Sequence, residues 1–279
     1  MKESQNMGKF DGILICTDLD GTLLRNDKSI SAENREAIEY FKREGGYFTF
    51  ITGRMPCTLR NLYADIKPNA PIGCINGGGI YDFERGEYLW SQTLPCDVIE
   101  LVESVIEEVP SVGVQMNALD NVYFCRENSA MARFRRLTGV PHLVADYKNL
   151  DFLVSKVVFG DESVDVILRV AEVLNNHPRS AEFDYIRSER TLYEILPKGS
   201  SKGNLLPRLA DILDIDMAKT IAIGDYNNDV SMIRMAGVGI AVANATEEAK
   251  AAADRITVSN EENAIAKIIS EIDSGKLKI

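Results

Sequence analysis

The sequence predicts an α/β protein with a Rossmann-like parallel sheet and an inserted α+β module. Three observations carry this. Residues 13–16 and 47–51 are short apolar, β-branched or aromatic runs that read as buried strands, and an amphipathic stretch at 31–44 lies between them. Strand, helix, strand at that spacing is a βαβ unit, which makes the two strands parallel. From about 85 to 190 the pattern changes to alternating strands joined by tight loops, and after Pro197 the buried-strand and helix pattern resumes. The expected division is a core of residues 1–84 and 191–279 with a module of 85–190 inserted into it. The length of 279 residues suits two such units.

The first strand runs into Asp18-Leu19-Asp20-Gly21-Thr22. Ligands of open α/β sheets bind beyond the carboxyl ends of strands. Two carboxylates placed there repel unless a cation or a shared proton compensates. The pattern points to a divalent metal, to an aspartyl nucleophile with a carboxyl acid/base, or to both. Gly21 allows the sharp turn behind the pair. In the helix at 31–44, Ser31 is the cap and Ala37, Ile38 and Phe41 form the apolar stripe. The second strand ends in Thr52-Gly53-Arg54. Thr52 either offers its hydroxyl to an anion at this edge or caps a helix over 55–64. A third strand at 71–75 ends in Asn76-Gly77-Gly78-Gly79, and Arg54 and Asn76 are substrate contacts or, equally, a salt bridge and a turn cap.

In the inserted module, strands are expected at 87–92, 113–117, 121–126, 153–159, 182–188 and 191–196. Helices are expected at 97–109, 127–138 and 163–176. The loops 117–121 and 188–190 read as hairpins, so their strands are antiparallel. His142 and His177 read as structural, and Arg133, Arg135 and Arg136 as solvent-facing. In the resumed core, a lysine at the start of the helix 204–213 opposes the helix dipole unless an anion sits there. That favours Lys202 over a solvated Lys198. The strand 220–223 ends in Gly224-Asp225-Tyr226-Asn227-Asn228-Asp229, ahead of a helix at 230–236. A strand at 239–242 and helices at 247–253 and 261–272 complete the chain. Oxygen ligands without nearby His or Cys favour Mg²⁺ over Zn²⁺.

Taken in order, Asp18-x-Asp20-Gly21-Thr22, Thr52-Gly53-Arg54, Lys202-Gly203 and Gly224-Asp225-x-x-Asn228-Asp229 resemble the four motifs of the haloacid dehalogenase-like (HAD) phosphotransferases. The inserted module resembles the type IIB cap of their Cof-like subgroup. The resemblance implies a Mg²⁺-dependent phosphatase of a small phosphorylated metabolite, a sugar phosphate foremost. It gives Asp18 as nucleophile and Asp20 as acid and base. It gives Thr52, Gly53 and Lys202 as holders of the phosphoryl oxygens, Arg54, Asn76 and Asn228 as further phosphate or substrate contacts, and Asp18, Asp20, Asp225 and Asp229 as the metal set, Asp20 through its backbone carbonyl. Asn228 and Asp229 would orient the lysine and a metal-bound water. A phosphomutase of the phosphomannomutase type and a non-catalytic phosphometabolite-binding protein are the alternatives.

A net charge of −11 argues against nucleic acid, whose phosphates need a basic face. No apolar run approaches the roughly 20 residues of a membrane span, and residues 1–9 lack the apolar core of a signal peptide. Five widely spaced cysteines without a Cys-x-x-Cys pair fit neither a zinc site nor a disulfide framework. The expectation is a cytoplasmic protein, monomeric or a weak homodimer.

Overall fold

The computed structural model describes residues 8–119 and 121–279. Residues 1–7 of the polar stretch read as lacking a signal core, and Asp120 of the loop 117–121, lie outside the described residues.

The core begins with β1 (Leu14–Thr17), α1 (Ala32–Arg43) and β2 (Tyr47–Phe50). Every β1 residue is buried. Ile15 packs into one apolar cluster and its neighbours Leu14 and Cys16 into another. That split follows from the two-residue period of a strand covered on both faces. Ser31 caps α1 by accepting from Asn34 N at 3.1 Å. The expected helix at 55–64 is a 3₁₀ turn, Pro56–Thr58, followed by a shorter α2 (Arg60–Ile66). Pro56 sits at the first helical position, where its missing N–H costs no bond.

β3 (Ile72–Cys74), β4 (Gly79–Asp82) and β5 (Glu87–Ser91) form a small antiparallel sheet. It meets the parallel sheet at an isolated bridge, Ile51 to Gly73. The module then runs α3 (Ile99–Glu108), β6 (Gly113–Asn117), β7 (Val122–Arg126), α4 (Ser129–Thr138), β8 (Leu143–Val144), β9 (Lys156–Gly160), α5 (Val164–Asn176), β10 (Phe183–Glu189) and β11 (Leu192–Pro197). Its sheet has the order β10-β11-β9-β6-β7-β8. The pairs β6/β7 and β10/β11 are antiparallel, as the hairpin reading expects. One face of this sheet, with Val114, Met116, Val157, Phe159 and Ile195, packs against Leu101, Val105, Ile167, Val170 and Leu174 of α3 and α5. Burying each such side chain stabilises the fold by about 1.5–3 kcal/mol. The alternate residues Gln115, Asn117, Lys156 and Glu194 therefore lie on the opposite face.

The core resumes with α6 (Lys202–Leu213), β12 (Thr220–Gly224), α7 (Val230–Met235), β13 (Val238–Ala241), α8 (Glu247–Ala252), β14 (Arg255–Ile256) and α9 (Ala264–Asp273). The parallel sheet has the order β14-β13-β12-β1-β2. Ile38 and Phe41 of α1 meet Ile265, Ile268 and Ile269 of α9 on one face, and Leu205, Leu206 and Leu209 of α6 cover the other.

Sheet membership bears on the expected boundaries. β5 pairs with β4, on the core side of residue 85. β11, placed after 190 and so given to the core, is hydrogen-bonded between β9 and β10. The reason is the register of the β10/β11 hairpin, which returns the chain along the module's sheet before it leaves. We therefore propose module boundaries near 92 and 197.

Candidate active site

Because β1 and β12 are parallel neighbours, with Thr17 opposite Ile223, their carboxyl ends open side by side. Asp18 follows the first and Asp225 the second, and Asp18 N donates to Ile223 O at 2.8 Å. Lys202, the first residue of α6, is 1% exposed and donates to Asp18 Oδ1 at 2.5 Å and Asp229 Oδ1 at 2.6 Å. The anion required at that helix start is thus a pair of carboxylates. Lys198 instead pairs with Asp184 near the surface. Asp229 Oδ2 accepts from the backbone N–H groups of Asp225 and Tyr226 at 2.9 and 3.0 Å, which fixes the loop after β12. Thr22 donates to Asp225 Oδ1 at 2.7 Å.

Asp18, Asp225 and Asp229 each bring a carboxylate oxygen to within 4.8 Å of the others. Three carboxylates face one ammonium. Burial raises the Asp18 carboxyl well above its usual value, Lys202 opposes this, and Asp229 and Asp225 add to it. Burial and Asp229 push Asp225 up to about 7. Lys202 is raised in spite of its burial by the same carboxylates. A buried cluster with surplus negative charge and hard oxygen donors fits a small divalent cation. Gly21 has φ +85, and a Cβ there would lie 2.5 Å from Asp225 Oδ2, so this turn must be glycine for the two loops to meet.

Asp20 stands apart from the cluster. Its carboxylate takes Arg54 Nε and a terminal Arg54 nitrogen at 2.8 Å each, and Lys28 Nζ at 2.8 Å. Burial would raise it, but these cations hold it below the usual carboxylate value. The side chain expected as an acid is therefore ionised in this structure, and the metal-cluster geometry leaves its carboxylate out. The salt-bridge alternative for Arg54 is the one present. Thr52 is buried and accepts from Arg54 N at 3.2 Å, leaving its O–H free to donate into the cavity it lines. The helix-cap alternative is not: Met55, not Thr52, is the cap residue of the 3₁₀ turn, and no side chain caps it.

A cavity of about 890 Å³ lies between the strand ends and the module, lined by Asp18, Asp20, Thr52, Asp225 and Asn228 from below and by Asn117, Arg133, Lys156 and Glu194 from above. Asn228 donates to Asn76 Oδ1 at 3.1 Å, and Asn76 donates to Glu194 Oε2 at 3.0 Å. Lys156 Nζ donates to Gly53 O and Glu194 Oε2, both at 3.0 Å. Asn76 is thus a link between core and module. A Cβ on Gly53 would strike its amide at 2.7 Å. Sequence reasoning missed Lys28, Asn117, Lys156 and Glu194. The available signal was a charge inside each of the strands 153–159 and 191–196. Arg133, expected to face solvent, lines the cavity, where it pairs with Glu162 and Thr191 at 3.0 Å each. His142 pairs with Glu127 and His177 accepts from Arg179 N, and neither lines the cavity.

The profile of the haloacid dehalogenase-like hydrolases matches residues 15–269. The chain belongs to that family. It is similar to the 5-amino-6-(5-phospho-D-ribitylamino)uracil phosphatase YwtE of Bacillus subtilis (strain 168), with 31% identity over 94% of this chain and 98% of the relative. Among solved structures, a haloacid dehalogenase-like hydrolase from Bacteroides thetaiotaomicron superposes with a TM-score of 0.80 at 27% identity, over 93% of this chain and 99% of that one. A structure described as a HAD subclass IIB sugar phosphatase gives a TM-score of 0.82 over 94% of this chain and 99% of that one. At 22% identity it shows the shared fold alone. This haloacid dehalogenase-like chain is an enzyme of the phosphatase class. Hydrolases of the family generally use a metal ion, and its acidic triad offers a place for one. Among the described residues no helix is long and apolar enough to cross a membrane.

Proposed function

We propose that the protein is a Mg²⁺-dependent phosphomonoesterase that releases phosphate from a small phosphorylated sugar or polyol through an aspartyl-phosphate intermediate. The observation that carries this is the buried Asp18–Lys202–Asp229–Asp225 constellation at the sheet edge, beneath a cavity of about 890 Å³. Asp18, the Asp20 carbonyl, Asp225 and Asp229 would hold the cation, which when bound offsets the repulsion between these carboxylates and a phosphate dianion.

A carboxylate oxygen of Asp18 attacks phosphorus, and the bond from phosphorus to the ester oxygen breaks. Asp20 gives the leaving alkoxide its proton. A water then attacks the acyl phosphate, Asp20 takes the water proton, and phosphate departs from Asp18. Lys202, the Thr52 hydroxyl and the Gly53 N–H stabilise the charge on the phosphoryl oxygens. Asp229 holds Lys202 and the loop in place, and Asn228 holds Asn76. Asp20 begins ionised between Arg54 and Lys28. An incoming phosphate dianion competes for both cations and frees the carboxyl to take up the proton that it later gives.

The YwtE relative is named for a phosphoribityl substrate, and the cavity has room for a leaving group of that size. Five free cysteines fit a reducing, cytoplasmic setting, with the protein acting as a monomer or weak homodimer. The test is phosphate release from a panel of phosphorylated metabolites, with Mg²⁺ and after chelation. Free phosphate in step with ester loss, and only with metal, is the expected result. A hexose 1-phosphate supplied with bisphosphate that yields more isomerised ester than free phosphate would decide for a mutase.

A further inference from the structure

The module's sheet face above the cavity carries hydrogen-bond donors that the mechanism does not use. Asn117 on β6 and Lys156 on β9 are directly opposed in register. Directly opposed residues of an antiparallel pair hold their Cβ atoms about 4.5–5.5 Å apart on one face. Both line the cavity, and Asn117 is 1% exposed and Lys156 5%. Asn117 Oδ1 accepts from Gln115 at 2.9 Å, whereas its buried Nδ2 has no hydrogen-bond partner. Native folds rarely leave a buried donor unmet, so this one calls for an acceptor brought from outside. Lys156 spends two of its three N–H donors on Gly53 O and Glu194, leaving a third.

The charge at this spot is already matched. Lys156 pairs with Glu194, whose second oxygen accepts from Ser188 at 2.6 Å. Arg133, on the same side of the cavity, pairs with Glu162, and Arg190 follows the carboxylate of Glu189 in the β10/β11 turn that also lines it. This face is therefore rich in donors, with its positive charge offset by neighbouring carboxylates. It suits neutral oxygen acceptors, hydroxyl or carbonyl, and not a second phosphate or a carboxylate. The tie from Lys156 to Gly53 O puts this face beside Thr52 at the mouth of the strand ends.

Resting on the phosphomonoesterase reading above, we propose that Asn117 and Lys156 form the subsite that reads hydroxyl groups of the leaving group, and that the substrate is the phosphate ester of a polyhydroxylated, otherwise uncharged metabolite. A site built to hydrogen-bond a hydroxyl rejects the analogue that lacks it by large factors. The wild-type protein should favour ribitol 5-phosphate over 1-pentyl phosphate by at least about tenfold in kcat/KM. Asn117→Asp keeps the acceptor for Gln115 and removes the donor, and Asn117→Ala removes the whole amide. Each should lower that preference by at least about tenfold, with circular dichroism confirming the fold. A wild-type preference under about twofold, or folded variants that keep the wild-type preference, would overturn the proposal. If the wild type releases phosphate from neither ester nor from any member of the metabolite panel, the hydrolase reading itself fails. Calorimetric titration of ribitol 5-phosphate then decides the subsite: binding at least about tenfold weaker in Asn117→Ala upholds it, and equal or absent binding overturns it.

Discussion

Asp18 is surrounded by more negative charge than the single ammonium of Lys202 balances, and this has opposite consequences for turnover and stability. Asp18→Asn removes the attacking anion, so phosphate release should fall by at least about 10³-fold. The same change relieves repulsion with Asp225 and Asp229, so the metal-free variant should melt no lower than the wild type in a thermal scan. The pH dependence has the same origin. The folded carboxyls of Asp18 and Asp225 are raised, Asp225 to about 7, so between the unfolded carboxylate range near 4 and that value the folded state holds protons that the unfolded state has lost. Stability from these two groups is therefore present at low pH and lost as pH rises toward 7. Metal-free protein followed by differential scanning fluorimetry should show this fall. Added Mg²⁺ should raise the melting temperature more at pH 8 than at pH 5.

At the scale of elements, the loops beyond β1 and β12 meet only because Gly21 takes a left-handed conformation against Asp225. Gly21→Ala should cost about 1–3 kcal/mol in denaturant unfolding and weaken metal binding, since the new methyl displaces the Asp225 carboxylate. The Lys156–Glu194 pair is buried on both sides, and breaking such a pair is costlier than replacing it whole. Glu194→Ala should therefore destabilise by about 3–5 kcal/mol. Lys156→Met combined with Glu194→Leu should recover much of that loss in the same measurement. These elements also show what the sequence makes legible. The parallel strands were readable because both faces are covered, so each is a continuous apolar run ending in its functional residue, as Cys16-Thr17-Asp18 and Ile223-Gly224-Asp225 do. β4 was hidden behind Gly77-Gly78-Gly79, which reads as a turn although Gly79 opens a strand. The motifs named Asp18, Lys202 and Asp225 because their spacing lies within single loops. Lys156 and Glu194 escaped because their meaning depends on a register between strands 38 residues apart, and one charge in a strand does not say which face it takes or what it meets. Asp20 was placed correctly at the sheet edge, yet its partner Lys28 comes from a local turn that no periodicity announces.

At the scale of the whole molecule, the cavity closes between two units joined at β5 and β11, and Ser200 Oγ donates to Gln92 Oε1 at 3.2 Å across those two crossings. Removing metal should leave this architecture intact while abolishing turnover. Chelation is expected to stop phosphate release without changing the far-ultraviolet circular dichroism, and Mg²⁺ should restore it. The sheet order has a further consequence, for the birth of the chain. β1 is an interior strand, yet one of its edges pairs with β12, which is synthesised about two hundred residues later. At translation rates of about 5–20 residues per second, that edge waits roughly 10–40 seconds. Throughout that time Leu14, Ile15 and Cys16 lack the neighbour that completes their burial, while the module between them has all six of its own strands and can fold behind the ribosome. Nascent chains stalled near residue 200, with their exit spaced by a linker, should yield a protease-resistant fragment from the module and a digestible amino-terminal segment. The part of the protein that handles the leaving group would then be finished before the part that performs the chemistry, and the unmatched edge of β1 is where a trailing chaperone has most to cover.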